Sequence, residues 1–176
     1  MRILVAYATC HGSTAEIARR IASRLESPAD AVDCRAMSDV SDLDGYEAVV
    51  AGSPIHDQDW LAEATGFVSR FASALEMLPV WLFSVGMPAA LPRRLQGWAT
   101  QEQDQMAAKL SPFVHPRGHH LFSGVVRKDH LTPRGRAKFR LMGGRYGDLR
   151  NWEEIDSWAS AVAEDLRRST QRPATA

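Results

Sequence analysis

Ile3-Leu4-Val5-Ala6-Tyr7-Ala8-Thr9-Cys10-His11-Gly12-Ser13-Thr14 is the stretch on which the fold turns. Residues 3–8 are continuously apolar and β-prone, as expected of a strand buried on both faces of a parallel sheet. A polar loop follows. From Ala15 to Glu26, Ile17, Ile21 and Leu25 recur at helical spacing and the arginines fall on other faces. Ser13 and Glu16 read as a capping box that starts this helix.

The same alternation continues outward. Ala31 to Met37 reads as a short strand, and Ala48 to Ile55 as a second continuously apolar one ending in Ser53-Pro54. A helix is expected from near Trp60, with Leu61, Ala64, Phe67, Val68, Phe71 and Leu75 as its buried stripe. Val80 to Val85 is the next strand, and Gly86, Pro88 and Pro92 break it into a loop. A polar helix over Thr100 to Leu110 and a fifth strand over His120 to Val126 follow. Asn151 and Glu154 form a cap pair for a closing helix, whose inner face is Ile155, Trp158, Val162 and Leu166. Strands alternating with helices call for an α/β fold of three layers, a five-stranded parallel sheet covered by helices on both faces. The expected organisation is one domain over residues 1–168, carrying a basic insert around 127–150, and a flexible tail at 169–176.

Composition narrows the function classes. The 176 residues suffice for one substantial core. Twenty-one Lys+Arg balance twenty-one Asp+Glu, which removes the whole-molecule electrostatic argument for a nucleic-acid binder and also the disordered class. Two cysteines, Cys10 and Cys34, cannot build a disulfide framework, and their number suits a reducing cytosol. No stretch approaches a signal or spanning segment, so the expected location is cytoplasmic, with peripheral contact at the inner face of a membrane left open.

In an open parallel sheet, ligands sit at the carboxyl ends of the strands, so the loops after Ala8, Ile55 and Val85 should share one crevice. Thr9, Ser13 and Thr14 supply hydroxyls and Gly12 lets the backbone approach, while the next helix presents free N–H groups and the positive end of its dipole. These suit a phosphate dianion without Lys or Arg. The loop matches neither the G-x-x-x-x-G-K-[ST] nor the G-x-G-x-x-G pattern, which favours a mononucleotide phosphate. The same six residues also fit an ordinary strand-to-helix turn.

Residues 7–18, Tyr-Ala-Thr-Cys-His-Gly-Ser-Thr-Ala-Glu-Ile-Ala, resemble the FMN phosphate loop of flavodoxins, and Val49 to Ile55 resembles the strand carrying their first flavin-contacting loop. Phe122 to Val126, the basic stretch ending in Leu141-Met142-Gly143-Gly144, and Gly147 to Ile155 resemble the branch containing the menaquinone-dependent protoporphyrinogen oxidases. The resemblance implies FMN, with Thr9, Cys10, His11, Gly12, Ser13 and Thr14 at the phosphate. Pro54, Ile55, His56 and Trp60 would lie beside the ring, and Ser84, Val85, Gly86 and Met87 near its pyrimidine edge. Gly86 to Ala90 holds no aromatic residue where flavodoxins commonly stack one. A bare face leaves room for a substrate, so an FMN-dependent oxidoreductase acting on an organic substrate or quinone through flavin N5 is expected. A non-enzymatic electron-transfer protein with a redox partner is the alternative, and a domain that has lost FMN a third.

Other residues carry weaker signals. His56 can donate to the flavin or accept a substrate proton, or be a solvated loop histidine. Cys10, before a helix N-terminus, is either a reactive thiol or a small loop side chain, and Cys34 reads as a core residue. His115, His119 and His120 have no carboxylate or thiolate to complete a metal site, and neighbours in a strand point to opposite faces, so no metal is expected. In the insert, Arg127, Lys128, Arg134, Arg136, Lys138, Arg140, Arg145 and Arg150 far outnumber Asp129 and Asp148. Such a segment suits an anionic membrane, an acidic partner or a carboxylated substrate, with Phe139, Leu141 and Met142 as apolar contacts, or else a solvated loop.

Overall fold

Successive side chains of a strand point to opposite faces, so a strand covered on both sides must be apolar throughout. The computed structural model, which describes residues 1–92 and 97–171, meets this condition in its central strands. In β1 (Arg2–Tyr7), Leu4 and Ala6 enter one core while Ile3 and Val5 enter the other. Helix α1 (Ser13–Leu25) leads to β2 (Ala31–Ala36), then β3 (Ala48–His56), a two-residue β4 (Asp59–Trp60), α2 (Ala62–Arg70) and α3 (Ala72–Glu76). Next come β5 (Val80–Gly86), α4 (Gly97–Leu110), β6 (Gly118–Ser123), β7 (Val125–Val126), α5 (Pro133–Leu141), β8 (Gly147–Asp148) and α6 (Trp152–Gln171).

The main sheet runs β2-β1-β3-β5-β6 with every neighbouring pair parallel, and β4 adds an antiparallel edge to β3. Helices α1 and α6 cover one face through Ile17, Ile21, Ile155 and Val162. Phe67 and Val68 of α2, Leu75 of α3, and Met106 and Leu110 of α4 cover the other. Arg20 of α1 holds Asp156 of α6 through two contacts of 2.7 Å, and Arg24 joins it, which keeps the Asp156 carboxyl well below the usual carboxylate range. Strand order reverses at β1 and β3, where the carboxyl-edge loops diverge and leave a crevice.

Several expected boundaries move. The helix expected from Trp60 begins at Ala62 and breaks at Phe71 into α2 and α3. The fifth strand starts earlier, at Gly118, and ends at Ser123, because Val125–Val126 pairs with Gly147–Asp148 as a separate ribbon. Ser13 does not cap α1. Gly12 takes the cap position at φ 87° without a side-chain bond, and Ser13 is the first helical residue. The Asn151 cap is present, its Oδ1 accepting from Glu154 N at 3.3 Å. Helix α6 continues through Ser169 to Gln171, and the rest of the expected tail, residues 172–176, lies outside the described residues.

The insert is not a solvated loop. Thr132 caps α5 by accepting from Gly135 N, and Pro133 opens the helix. Phe139 is 5% exposed and packs with Ala90 and Val126, flanked by Leu131, Tyr146 and Leu149. It is therefore unavailable as a lipid contact, whereas Leu141 is 90% exposed.

Gly52 sits opposite Phe83 across β3 and β5, and a Cβ there would lie 2.1 Å from Phe83 Cζ. Gly52→Ala is expected to destabilise the protein by about 1–3 kcal/mol through overpacking, read from the urea midpoint, and Phe83→Leu should recover part of the loss.

Candidate functional site

The turn after β1 is shaped by its own side chains. Thr9 Oγ1 accepts from Gly12 N at 3.0 Å, folding the loop so that Gly12 adopts the left-handed conformation that favours glycine. Helix α1 then starts at once, with N–H groups that have no intrahelical acceptor. Thr14 is 1% exposed and its Oγ1 has no hydrogen-bond partner. A buried hydroxyl left unpaired costs roughly 1–3 kcal/mol, so an acceptor in the adjacent cleft would complete it. A phosphate fits that requirement: it would accept from Thr14, from Ser13 and from the helix N-terminus at once.

That cleft encloses about 300 Å³ at the carboxyl edge of the sheet. Thr9, Cys10, His11, Ser13 and Thr14 form one wall. Pro54, Ile55 and His56 come from the end of β3, and Val85, Gly86 and Met87 from the end of β5. The three loops expected to converge do so. Gly12, also expected in the site, shapes the turn but does not line the cleft.

Two expected site residues lie elsewhere. Trp60 is 3% exposed and points into the core, where its indole Nε1 donates to Ser84 Oγ at 2.8 Å. Ser84, fully buried, also lies 2.9 Å from His119 Nε2. Neither Trp60 nor Ser84 faces the cleft, so Trp60 cannot shield a bound ring. Instead this buried chain anchors β4, and with it the hairpin that carries His56. The two residues of that turn, Asp57 and Gln58, both have positive φ, 51° and 65°, as a two-residue β-hairpin requires. Lys109 of α4 fastens the turn by donating to Gln58 O at 2.6 Å and to Asp59 at 3.1 Å.

His56 is 59% exposed at the mouth of the cleft, 3.4 Å from Asp57. Cys10 is exposed, whereas Cys34 is partly buried against the α1 side of the core and burial pushes its thiol up. His119 and His120 point to opposite faces, His120 meeting Glu154 of α6 at 2.8 Å.

Sequence reasoning missed the fourth wall. Gly124, His130, Leu131, Thr132 and Gly135 close the cleft from the β6 end and from the insert. A Cβ on Gly124 would lie 2.7 Å from Val85 Cγ1, so glycine is what lets the chain turn tightly against β5. The ring of His130 stacks on that of His11, centroids 3.8 Å apart and planes 5° from parallel. The Gly after an apolar strand end was a legible signal for Gly124, but nothing in the sequence pairs residue 11 with residue 130. No Phe, Tyr or Trp lines the cleft among the described residues.

His119 generates a pH dependence. Burial, reinforced by the neighbouring His120, lowers its pKa to about 4. The unfolded chain takes up a proton near pH 6.5 that the folded state refuses. The contribution of the neutral imidazole is therefore complete above pH 6.5 and falls progressively toward pH 4, by up to about 3 kcal/mol. Urea unfolding of the wild type should weaken over this window, and His119→Gln should flatten the slope.

With this geometry in place, the comparisons are specific. The flavodoxin domain family matches residues 4–145. No curated protein sequence matches the chain. Among solved structures, a flavodoxin from the domain Archaea superposes with a TM-score of 0.57 at 16% identity, covering 95% of this chain and 99% of that one. Oxidised flavodoxin 2 from Bacillus cereus gives 0.55 at 21% identity, covering 94% and 99%. Rubredoxin oxygen:oxidoreductase from Desulfovibrio gigas gives 0.60 at 15% identity over 97% of this chain but only 37% of that larger protein. These likenesses are of fold, and the family implies FMN, whose phosphate the Thr9–Thr14 loop fits. On the family match over most of its length, the chain belongs to the flavodoxin domain family.

Proposed function

We propose that the protein is an FMN-dependent oxidoreductase that acts on a small organic substrate or quinone, in the manner of the protoporphyrinogen oxidase branch that its insert resembles. The observation that carries this reading is the character of the cleft, whose described lining has no Phe, Tyr or Trp beside the Pro54–His56 and Val85–Met87 walls, while residues of the insert overhang it. Bound FMN supplies hydride transfer at its N5 atom. The chain's part is to hold and orient. Thr14, Ser13 and the α1 N-terminus take the phosphate, while the hairpin carrying His56 is fixed from behind by Trp60, Ser84 and Lys109. His56 is exposed at the mouth and able to exchange a proton with an organic substrate.

A second reading, a one-partner electron carrier, is favoured by the flavodoxins that match almost end to end. The two readings separate experimentally. In anaerobic mixing, a quinone analogue or a porphyrinogen should perturb the bound-flavin spectrum and exchange electrons with it. Silence toward both at saturation, together with rapid exchange with a protein donor, would favour the carrier.

The cofactor assignment has its own test. Ser13→Ala with Thr14→Ala removes two hydrogen bonds to a charged acceptor, each worth about 1.5–3 kcal/mol, so FMN affinity should fall at least tenfold in a fluorescence titration. Wild-type affinity in the double variant would contradict it.

The insert offers Arg134, Lys138, Arg140 and the exposed Leu141 to an anionic surface. No helix among the described residues is long and apolar enough to cross a membrane. Anionic vesicles should sediment the protein at low salt and lose it at high salt or after Arg134→Glu with Arg140→Glu. Equal, low binding to anionic and zwitterionic vesicles would remove the membrane from the proposal.

A further inference from the structure

The stack of His11 on His130 links the phosphate loop to the insert, and both rings line the cleft. Its charge environment is nearly balanced before any ligand arrives. The turn of His130 contributes Arg127, Lys128 and Asp129, while Glu16, Asp148 and Arg150 lie on the far side of the stack in a neighbouring cleft. Arg150 is already committed to Asp148 and Glu16, and Lys128 rests over the ring of Tyr146 at 5.9 Å. Across the main cleft stand His56 and Asp57. Among the described residues no Lys or Arg lines the phosphate cleft, so within its described lining the groups able to become cationic toward a dianion are imidazoles.

Two protonated rings at this separation repel, whereas one imidazolium facing one neutral imidazole does not. Burial and the neighbouring His11 hold His130 below its usual pKa, so a proton on His130 is disfavoured while the cleft is empty of anion. A phosphate monoester in the loop reverses that balance, because its second ionisation is near pH 6 and it is a dianion at pH 7.5.

We propose that His11 and His130 form a single-proton clamp on the cofactor phosphate: the pair takes up one proton as the dianion binds, and the resulting imidazolium holds the insert against the phosphate loop. His130 is thereby a cofactor-retaining residue supplied by the insert. This rests on the FMN reading above and extends it to a pH-linked affinity. Where one proton is taken up, affinity falls up to tenfold per pH unit as pH rises, by linkage.

The test is calorimetric titration of the wild-type apoprotein with FMN at pH 7.5, in phosphate-free buffers of different ionisation enthalpy, repeated with riboflavin. The expected result is uptake of between about half and one proton per FMN and none with riboflavin. His11→Phe with His130→Phe keeps two stacked rings without titratable nitrogens. It should abolish the uptake, weaken FMN roughly tenfold at pH 7 and flatten the pH dependence of affinity between pH 7 and 8.5. FMN binding to the wild type without proton uptake overturns the clamp and leaves the phosphate assignment standing. Uptake unchanged in the double variant also overturns it, and would assign the proton to another group such as His56. Absence of any FMN binding by the wild type overturns the cofactor reading and the clamp together. The wild-type measurement decides the matter even if the double variant fails to fold.

Discussion

Burial of the central strands on both faces is the constraint from which everything else follows. Leu4, Val5, Ala6, Val49, Val50, Ala51 and Leu82 have no exposed surface, which is possible only if helices cover the sheet above and below. Covering both faces of a parallel sheet requires each strand to be followed by a crossover, and the crossovers leave from the carboxyl ends. The loops after β1, β3 and β5 are thus delivered to one edge. The chemistry of the protein is then a matter of what those loops carry, and where their described residues line the cleft they carry hydroxyls and histidines, with no lysine or arginine among them.

The site is held from beneath as much as from its lining. Trp60, Ser84 and His119 form a buried polar chain under the cleft, with Ser84 contacted by both neighbours. Its cost is visible in His119, kept neutral by burial with an unpartnered Nδ1. Its effect is to pin β4, so that the Asp57–Gln58 turn is retained although neither residue is glycine. The insert adds a lateral wall through the Phe139 cluster, which seats His130, Leu131 and Thr132 beside the phosphate loop.

Much of this was legible in the sequence, for identifiable reasons. Continuous apolar runs mark β1, β3 and β5 because both faces are buried, and the loop into α1 follows from the abrupt change at Thr9. The strand β6 was harder to bound, since His119 and His120 make it read as a polar segment while their partners, Ser84 and Glu154, lie far away in sequence. The break at Phe71 and the cap of α1 at Gly12 rather than Ser13 depend on backbone geometry that the residue pattern does not show. Trp60 was misplaced because its indole pairs with a serine 24 positions away. The role of the insert was hidden by its charge: its arginines suggest a surface, while Phe139 buried among them makes it a wall.

The most direct measurement is a crystal structure of the protein with FMN. The expected result is phosphate oxygens within hydrogen-bond distance of Thr14 Oγ1 and of the first N–H groups of α1, with the ring between the Pro54–His56 and Val85–Met87 walls. A phosphate seated elsewhere, with Thr14 Oγ1 still unpaired, would contradict the assignment of the Thr9–Thr14 loop and the function built on it.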